Sequence, residues 1–469
     1  MRGSPGLARS YRAAFLLLLG FFALFTVAGT DRSCLDAADS AYLISADAIA
    51  HGLWPYRDFL AAHPPLLYLL GAPLALLDAG TLPFRIFSLL ILAGLSLSVW
   101  HLAQKMTANA GIAFLAGAFT LFAPLGIFFS KLFIQDALVS LIAVAAITLV
   151  MGGGRRRVAL AGSLCVLGTL TKLTFLPLLL VLAVYMYRYR REQLALFLRI
   201  AIGGSLAAAL ILELLTGGSY FDDIILSQAS KGLSFTNFYQ GLHRIWEMDW
   251  PLLVAAVPGA WIAIHGLRER RRYGRLFLLL GWLAAGAALL LTLPAAGHDT
   301  NLFQMAEPAV ALLAAWGIIG LAERGRLLPV AVAAILLLVS VVVLVEKDRL
   351  FIMRSNAGDV ERVVALIDGA AAEDEAVLAP GCYALEAGRP VTRRFYDQFL
   401  WEEKYRRGDS SALELFRGLE EDLVSRSVPV VALEADRDSL RILGPALDAG
   451  YRRAYASRQW PRTILWLPR

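Results

Sequence analysis

About eleven apolar runs, parted by short linkers dense in arginine, constrain this chain more than any other feature. They cover residues 13–29, 84–104, 107–126, 137–151, 158–171, 173–187, 194–215, 251–267, 276–293, 305–322 and 327–345. A helix needs ~20 such residues to cross a ~30 Å hydrocarbon layer, so some of these runs are short for the task. Hydrophobic residues make up 58% of the chain and charged ones 17%, more apolar surface than a soluble fold can hide. The pattern predicts an α-helical polytopic membrane protein with about eleven spans. The first run follows Arg2, Arg9 and Arg12 and reads either as a cleaved signal peptide or as an uncleaved anchor. The many later spans favour the anchor, and both readings deliver the next loop outside the cytoplasm.

The net charge of +6 would suit a nucleic-acid binder, but the distribution excludes that class. Alternate linkers hold seventeen basic residues, among them Lys105, Arg155–Arg157, Arg188, Arg190, Arg191 and Arg275. The longer linkers between them hold seven: Arg32, Arg57, Arg85, Lys131, Lys172, Lys231 and Arg244. Basic loops stay in the cytoplasm, so the N-terminus is expected there and the seven-residue set outside. The expected setting is a bacterial cytoplasmic membrane, crossed many times. Residues 1–345 read as the membrane domain, including a long outer loop at 30–83. Residues 346–469, rich in Glu, Asp and Arg, read as a small extracytoplasmic α/β domain, because an odd number of spans separates them from the N-terminus.

Three local readings follow. Arginine clusters flank 158–187 on both sides, so the chain is expected to turn back at Thr171-Lys172 and to expose Lys172 on the outer face to water or an anionic ligand. Residues 37–50 have helical spacing and are expected along the membrane surface with Asp36, Asp39 and Asp47 wet. The run 66–77, with Pro73 inside, is expected to be an interfacial or re-entrant helix. In the C-terminal domain, helices are expected at 359–372 and 436–449, and strands at 375–379, 428–433, 451–457 and 463–467.

The chemistry concentrates in the first outer loop, which carries Asp36, Asp39, Tyr42, Asp47, Trp54, Tyr56, Arg57, Asp58 and His63. An aspartate beside phosphate-binding cations can take a proton from a hydroxyl nucleophile. On composition alone the same aspartates are the solvated face of a helix. Cys34 and Cys382 both fall outside, where a disulfide between loop one and the C-terminal domain is one possible state. Cys165 lies within a span. His298 and Asp299 lack a third ligand at metal-binding spacing, so no metal or other cofactor is expected.

The loop and the runs after it resemble GT-C glycosyltransferases, nearest the branch holding protein O-mannosyltransferases and the lipid A aminoarabinose transferase. The matching segments are Asp39-Ser-Ala-Tyr-Leu, Ala48-Ile-Ala-His-Gly, Pro55-Tyr-Arg-Asp-Phe and His63-Pro-Pro-Leu-Leu-Tyr. Pro83-Phe-Arg85, Gln135-Asp136, Thr169-Leu-Thr-Lys172 and Asn301 to Pro308 follow in family order. The resemblance implies sugar transfer from a polyprenyl-phosphate donor to a cell-envelope acceptor (polysaccharide, lipid or protein), with inversion. It makes Asp39 the general base and sets His63, Arg85, Lys131 and Lys172 around the leaving phosphate. Asp136 would orient Lys131 or the acceptor, or serve only as a helix N-terminal acid. Tyr42, Tyr56 and His298 are further substrate-binding candidates. His63 departs from the lysine common in the aminoarabinose branch, which leaves the donor sugar open. A secondary transporter and a non-catalytic scaffold are the competing classes; the first would favour midplane sites and internal repeats, which the sequence does not show.

Overall fold

The computed structural model describes residues 5–27, 34, 37–227, 232–265, 273–295, 300–323, 331–343 except 333 and 337, 357–435, 437–457 and 462–469. It is mostly helical. Helix α1 is Pro5–Val27, α2 Ala37–Ala50, α3 Leu66–Ala75, α4 Leu82–Thr107, α5 Ala110–Phe122 and α6 Pro124–Ser130. Helix α7 is Asp136–Gly152, α8 Arg155–Thr171, α9 Leu176–Tyr189, α10 Arg191–Leu198 and α11 Gly204–Leu215. Helix α12 is Phe235–His265, α13 Tyr273–Leu290 and α14 Glu307–Ala322.

Among the described residues, four helices are long and apolar enough to cross a membrane: Leu82–Thr107, Arg191–Leu215, Phe235–His265 and Tyr273–Leu290. A fifth arises if the pair α5 and α6, bent by 52°, counts as one broken span. The other expected runs coincide with shorter helices, and 327–345 lies only partly within the described residues. The bend has a local cause. Pro124 cannot donate to the preceding turn, so α5 stops at Phe122 and α6 restarts with proline in its first turn. At its other end α5 is closed by Asn109, whose side chain accepts from the N–H groups of Gly111 and Ile112 at 2.9 and 3.1 Å.

The bundle core sits where α12 crosses α14. Gly259 and Gly317 face each other there, and a side chain at Gly259 would run into the carbonyl of Leu313. Small residues let the two backbones approach without a hydrophobic driving force, as membrane packing requires. The turn at Thr171-Lys172 forms where the charge pattern predicts it, with α8 ending at Thr171, Lys172 extended and α9 returning to the end where α8 began, but Lys172 is buried and not exposed to water, because Asp136 holds its ammonium. One expectation about α12 needs correction. The apolar run was expected to begin at Pro251, yet the helix starts at Phe235 and runs through Pro251. A proline costs a helix one hydrogen bond, and neighbouring helices in a membrane bundle can compensate.

The C-terminal unit holds α15 (Ala357–Ala370), α16 (Gly381–Glu386), α17 (Gln398–Arg406), α18 (Ser410–Val424) and α19 (Asp438–Gly450). Its sheet has β1 (Val431–Glu434), β2 (Tyr451–Ala456) and β3 (Thr463–Pro468), all antiparallel in the order β1-β3-β2. Register pairs Val431 with Trp466 and Tyr451 with Pro468. The expected strand at 375–379 is reduced to single bridges from Val377 to Val391 and from Leu378 to Val431. This unit is tied to the loop after α1 (loop one) by a Cys34–Cys382 disulfide, with Cα atoms 5.7 Å apart across a sequence separation of 348. Glu386 accepts from the Thr81 N–H at 2.8 Å, and Arg394 donates to the Asp58 carbonyl at 2.8 Å. Loop one and the C-terminal unit therefore occupy the same face of the bundle.

Candidate active site

The helix expected at 37–50 forms with those bounds, but its environment differs from the expectation. Asp39 is fully buried, not wet, because α3 packs on one side of α2 and α16 of the C-terminal unit on the other. Glycine at 381 permits that second contact, since any side chain there would meet the carbonyl of Ser40 and the side chain of Ile44.

Two carboxylate–cation pairs occupy this end of the bundle. Arg85, near the start of α4, donates from Nη1 to Asp39 Oδ1 and from Nη2 to Oδ2, each at 2.6 Å. The Phe133 N–H donates to the same Oδ1 at 2.7 Å. Three of the roughly four acceptor positions of the carboxylate are thus taken. Arg85 Nη1 also reaches the Lys131 carbonyl at 3.1 Å. In the second pair Lys172 Nζ donates to both oxygens of Asp136 at 2.8 and 2.9 Å, and Asn301 Nδ2 adds a bond at 3.0 Å. Lys172 and Asp136 are 8% and 6% exposed, so neither charge is merely solvated. Residues 131–136, between α6 and α7, carry Lys131, Phe133 and Asp136 and so join the two pairs into one site. Fork-shaped guanidinium and compact ammonium are the two side-chain types that bind phosphate oxygens best.

No protein-family profile and no curated protein sequence matches the chain. Solved structures do. ArnT from Cupriavidus metallidurans, crystallised with undecaprenyl phosphate, superposes with a TM-score of 0.67 at 15% identity, covering 99% of this chain and 98% of that one. The archaeal oligosaccharyltransferase AglB from Archaeoglobus fulgidus, in complex with an inhibitory peptide and a dolichol-phosphate, gives 0.55 at 13%, over 98% and 76%. The chain has the GT-C fold. The agreement with ArnT covers both the membrane bundle and the C-terminal unit with its small sheet.

Within this GT-C fold the other sequence candidates fall in different places. The Tyr42 ring is buried and packs edge-on against His63 with centroids 5.7 Å apart, and the half-buried His63 ring keeps to that side. Tyr56 holds the loop: it has a φ of 67°, and its hydroxyl donates to the His63 carbonyl at 2.6 Å. Its ring meets Tyr220 at 5.0 Å, and burial pushes its hydroxyl well above the ordinary tyrosine pKa. A fixed hydroxyl makes Tyr56 a scaffold for the His63 segment. Lys131 is buried at the end of α6. His298, Asp299, Asp36 and Lys231 lie outside the described residues. Glu213 accepts from the Phe221 N–H at 2.7 Å and so shapes the outer turn.

Three arrangements arise only from contacts between distant segments. Asn301 was only the start of a loop, yet it completes the coordination of Asp136. Asp249 of α12 and Glu307 of α14 are buried together at the start of α6, accepting from the N–H groups of Leu125 and Gly126 at 3.4 and 3.0 Å. An acid directly before Trp250-Pro251, at the head of an apolar run, was the available signal. The third is a latch between the segment after α11 and the C-terminal unit. Lys404 Nζ donates to Asp222 at 2.8 Å and to Asp223 at 2.9 Å, and Arg407 donates to the Ser227 carbonyl at 3.0 Å.

Burial pushes the Asp223 carboxyl up to about 6, against the opposing pull of Lys404. The folded value exceeds the ~3.9 of a free aspartate, so folding takes up a proton between about pH 4 and 6. Asp223 then contributes most to stability at low pH, and that contribution is lost as pH rises through about 6. Asp223→Asn is accordingly expected to raise the thermal midpoint at pH 8 relative to the parent and to change it little at pH 4. A drop at pH 8 in the same unfolding scans would show that the Lys404 pair outweighs the cost of burying the charge.

Proposed function

We propose that this chain is an inverting membrane glycosyltransferase. It moves a sugar from a polyprenyl-phosphate donor to a hydroxyl of a cell-envelope acceptor at the outer membrane face. The observation that carries the reading is the pair of buried carboxylate–cation contacts, Asp39–Arg85 and Asp136–Lys172, joined by residues 131–136 at one end of the bundle. ArnT and AglB, which share the fold, have been captured with polyprenyl phosphates, and that supports a donor of the same class. An outward-facing site fits the charge distribution of the linkers and the Cys34–Cys382 disulfide, since such bonds persist in oxidising compartments.

In the proposed mechanism the donor phosphate exchanges partners with the carboxylates. Its oxygens compete for the Arg85 guanidinium and the Lys172 ammonium, which both donate hydrogen bonds to acids. Release of Arg85 frees the lone pairs of Asp39 to receive the acceptor proton. The acceptor oxygen then bonds to the anomeric carbon as the carbon–oxygen bond to phosphate breaks, and the proton passes to Asp39. Negative charge developing on the leaving phosphate is held by Arg85 and Lys172, the preorganised electrostatic term that dominates such steps. A single displacement inverts the anomeric centre. Asp136 and Asn301 keep Lys172 aimed at the phosphate.

The test is transfer of labelled sugar from a panel of polyprenyl-phosphate donors by the purified protein. Label is expected in an envelope acceptor with release of polyprenyl phosphate, and Lys172→Ala is expected to raise the donor KM roughly 10- to 100-fold. The transporter reading has one observation on its side, the membrane-buried Asp249–Glu307 pair. Solute uptake into liposomes without any sugar transfer would favour it. The two backbone N–H bonds from α6 instead fit a clamp at the break between α5 and α6.

A further inference from the structure

The end of the bundle opposite the candidate site carries a surplus of positive charge. Helix α8 has Lys172 just beyond one terminus and Arg155, Arg156 and Arg157 at the other, one helix length of about 25 Å away. The second linker at that end, between α9 and α10, adds Arg188, Arg190 and Arg191. The two linkers touch. Arg190 Nη2 donates to the Met151 carbonyl at 3.4 Å, and its guanidinium lies over Gly153, where any side chain would collide with it. A φ of 63° at Gly153 also calls for glycine, so the tight turn that brings the linkers together is written in the sequence.

Helix ends account for part of this charge. Lys105 donates to the Thr148 carbonyl at 3.4 Å, Arg157 to Gly152 at 3.3 Å and Arg275 to Met106 at 2.9 Å, while Arg190 serves Met151. All four close C-terminal carbonyls of α4 or α7, where a cation offsets the helix dipole. Arg155, Arg156, Arg188 and Arg191 are not explained this way. They are exposed, and none forms an ion pair among the described residues. Glu192, the acid next to them in sequence, is itself exposed and unpaired with them. Arg155 and Arg156 stand in the first turn of α8, the end of a helix where cations are disfavoured.

The surroundings identify the depth at which these arginines stand. Arg188 lies over the Tyr189 ring at 5.7 Å and Arg191 over Tyr187 at 5.6 Å, and both tyrosines are more than one-third exposed. Exposed tyrosines at the end of an apolar helix belong at the headgroup level of a bilayer. We infer that Arg155, Arg156, Arg188 and Arg191 bind the phosphodiester headgroup of an anionic phospholipid, in the leaflet opposite the candidate site. The guanidiniums of the two linkers converge on one headgroup, with the tyrosines seated at the glycerol level. The inference needs the bilayer and not the transfer reaction, so the two readings stand or fall separately.

The experiment follows lipid retention on the full-length protein by native mass spectrometry, with dioleoyl phosphatidylglycerol and dioleoyl phosphatidylcholine added in equal amounts. Phosphatidylglycerol adducts are expected to dominate. Combined Arg155→Gln, Arg156→Gln, Arg188→Gln and Arg191→Gln substitutions are expected to weaken them by roughly tenfold or more. Arg57→Gln, an exposed arginine on the other face, is expected to leave them unchanged. The double variant Arg188→Gln/Arg191→Gln retains Arg155–Arg157 for insertion and repeats the test if the fourfold variant fails to assemble. Equal retention of both lipids, or unchanged adducts in the variants, would overturn the inference. Displacement of the lipid by millimolar inorganic phosphate would do so too, by revealing a site for a soluble anion.

Discussion

Arg85→Ala is expected to destabilise the protein by about 3–5 kcal/mol, the usual cost of stripping one partner from a buried ion pair. Asp39 is fully buried, and Arg85 supplies two of its three hydrogen bonds. Without the guanidinium the carboxylate would face apolar neighbours and a single N–H. The double variant Asp39→Leu/Arg85→Met removes both charges and should recover most of the loss, because neither desolvated ion then remains. Unfolding in detergent, followed by thermal midpoint, checks both. A double variant as unstable as Arg85→Ala would mean that the pair itself, and not the orphaned charge, sustains this region.

Asp39→Asn is expected to lower kcat roughly 10²- to 10⁴-fold, the range for removal of a general base. The amide keeps the size of the side chain and an acceptor oxygen, but it leaves the buried Arg85 without a counter-charge, so a loss of stability comparable with that of Arg85→Ala is expected beside the loss of chemistry. The amide cannot take the proton of an attacking hydroxyl. Donor KM should change less than kcat, since Lys172 still meets the phosphate. Thermal midpoints measured alongside separate lost chemistry from lost folding: a variant that stays folded and inactive supports the base, and one that stays folded and fully active removes it.

Much of the architecture could be read locally. Runs of about twenty apolar residues declare helices without reference to anything distant. The turn at Lys172 followed from two arginine clusters that must share one side of the membrane. What failed were properties set by remote partners. Asp39 and Asp47 fall among the polar positions of a helical pattern, and such positions read as wet. Asp39 is instead sealed by Arg85, Phe133 and a domain that begins more than three hundred residues later. The 375–379 segment has strand composition but meets neighbours at isolated points only, because α16 begins at Gly381 and takes the chain away from the sheet. Pro251 reads as a helix start, yet packing against α14 carries α12 through it. Asp136 and Lys172 were both candidates, but their direct contact joins the first residue of α7 to the turn after α8, 36 residues on, a pairing that composition does not encode.

Single-turnover transfer from a labelled polyprenyl-phosphate sugar, with the anomeric configuration of the product read by NMR, tests the central claim most directly. One inverted product is expected from the parent protein, with concurrent release of polyprenyl phosphate, and no product within the same time from folded Asp39→Asn. A product of retained configuration, or equal single-turnover rates in the two proteins, would contradict it.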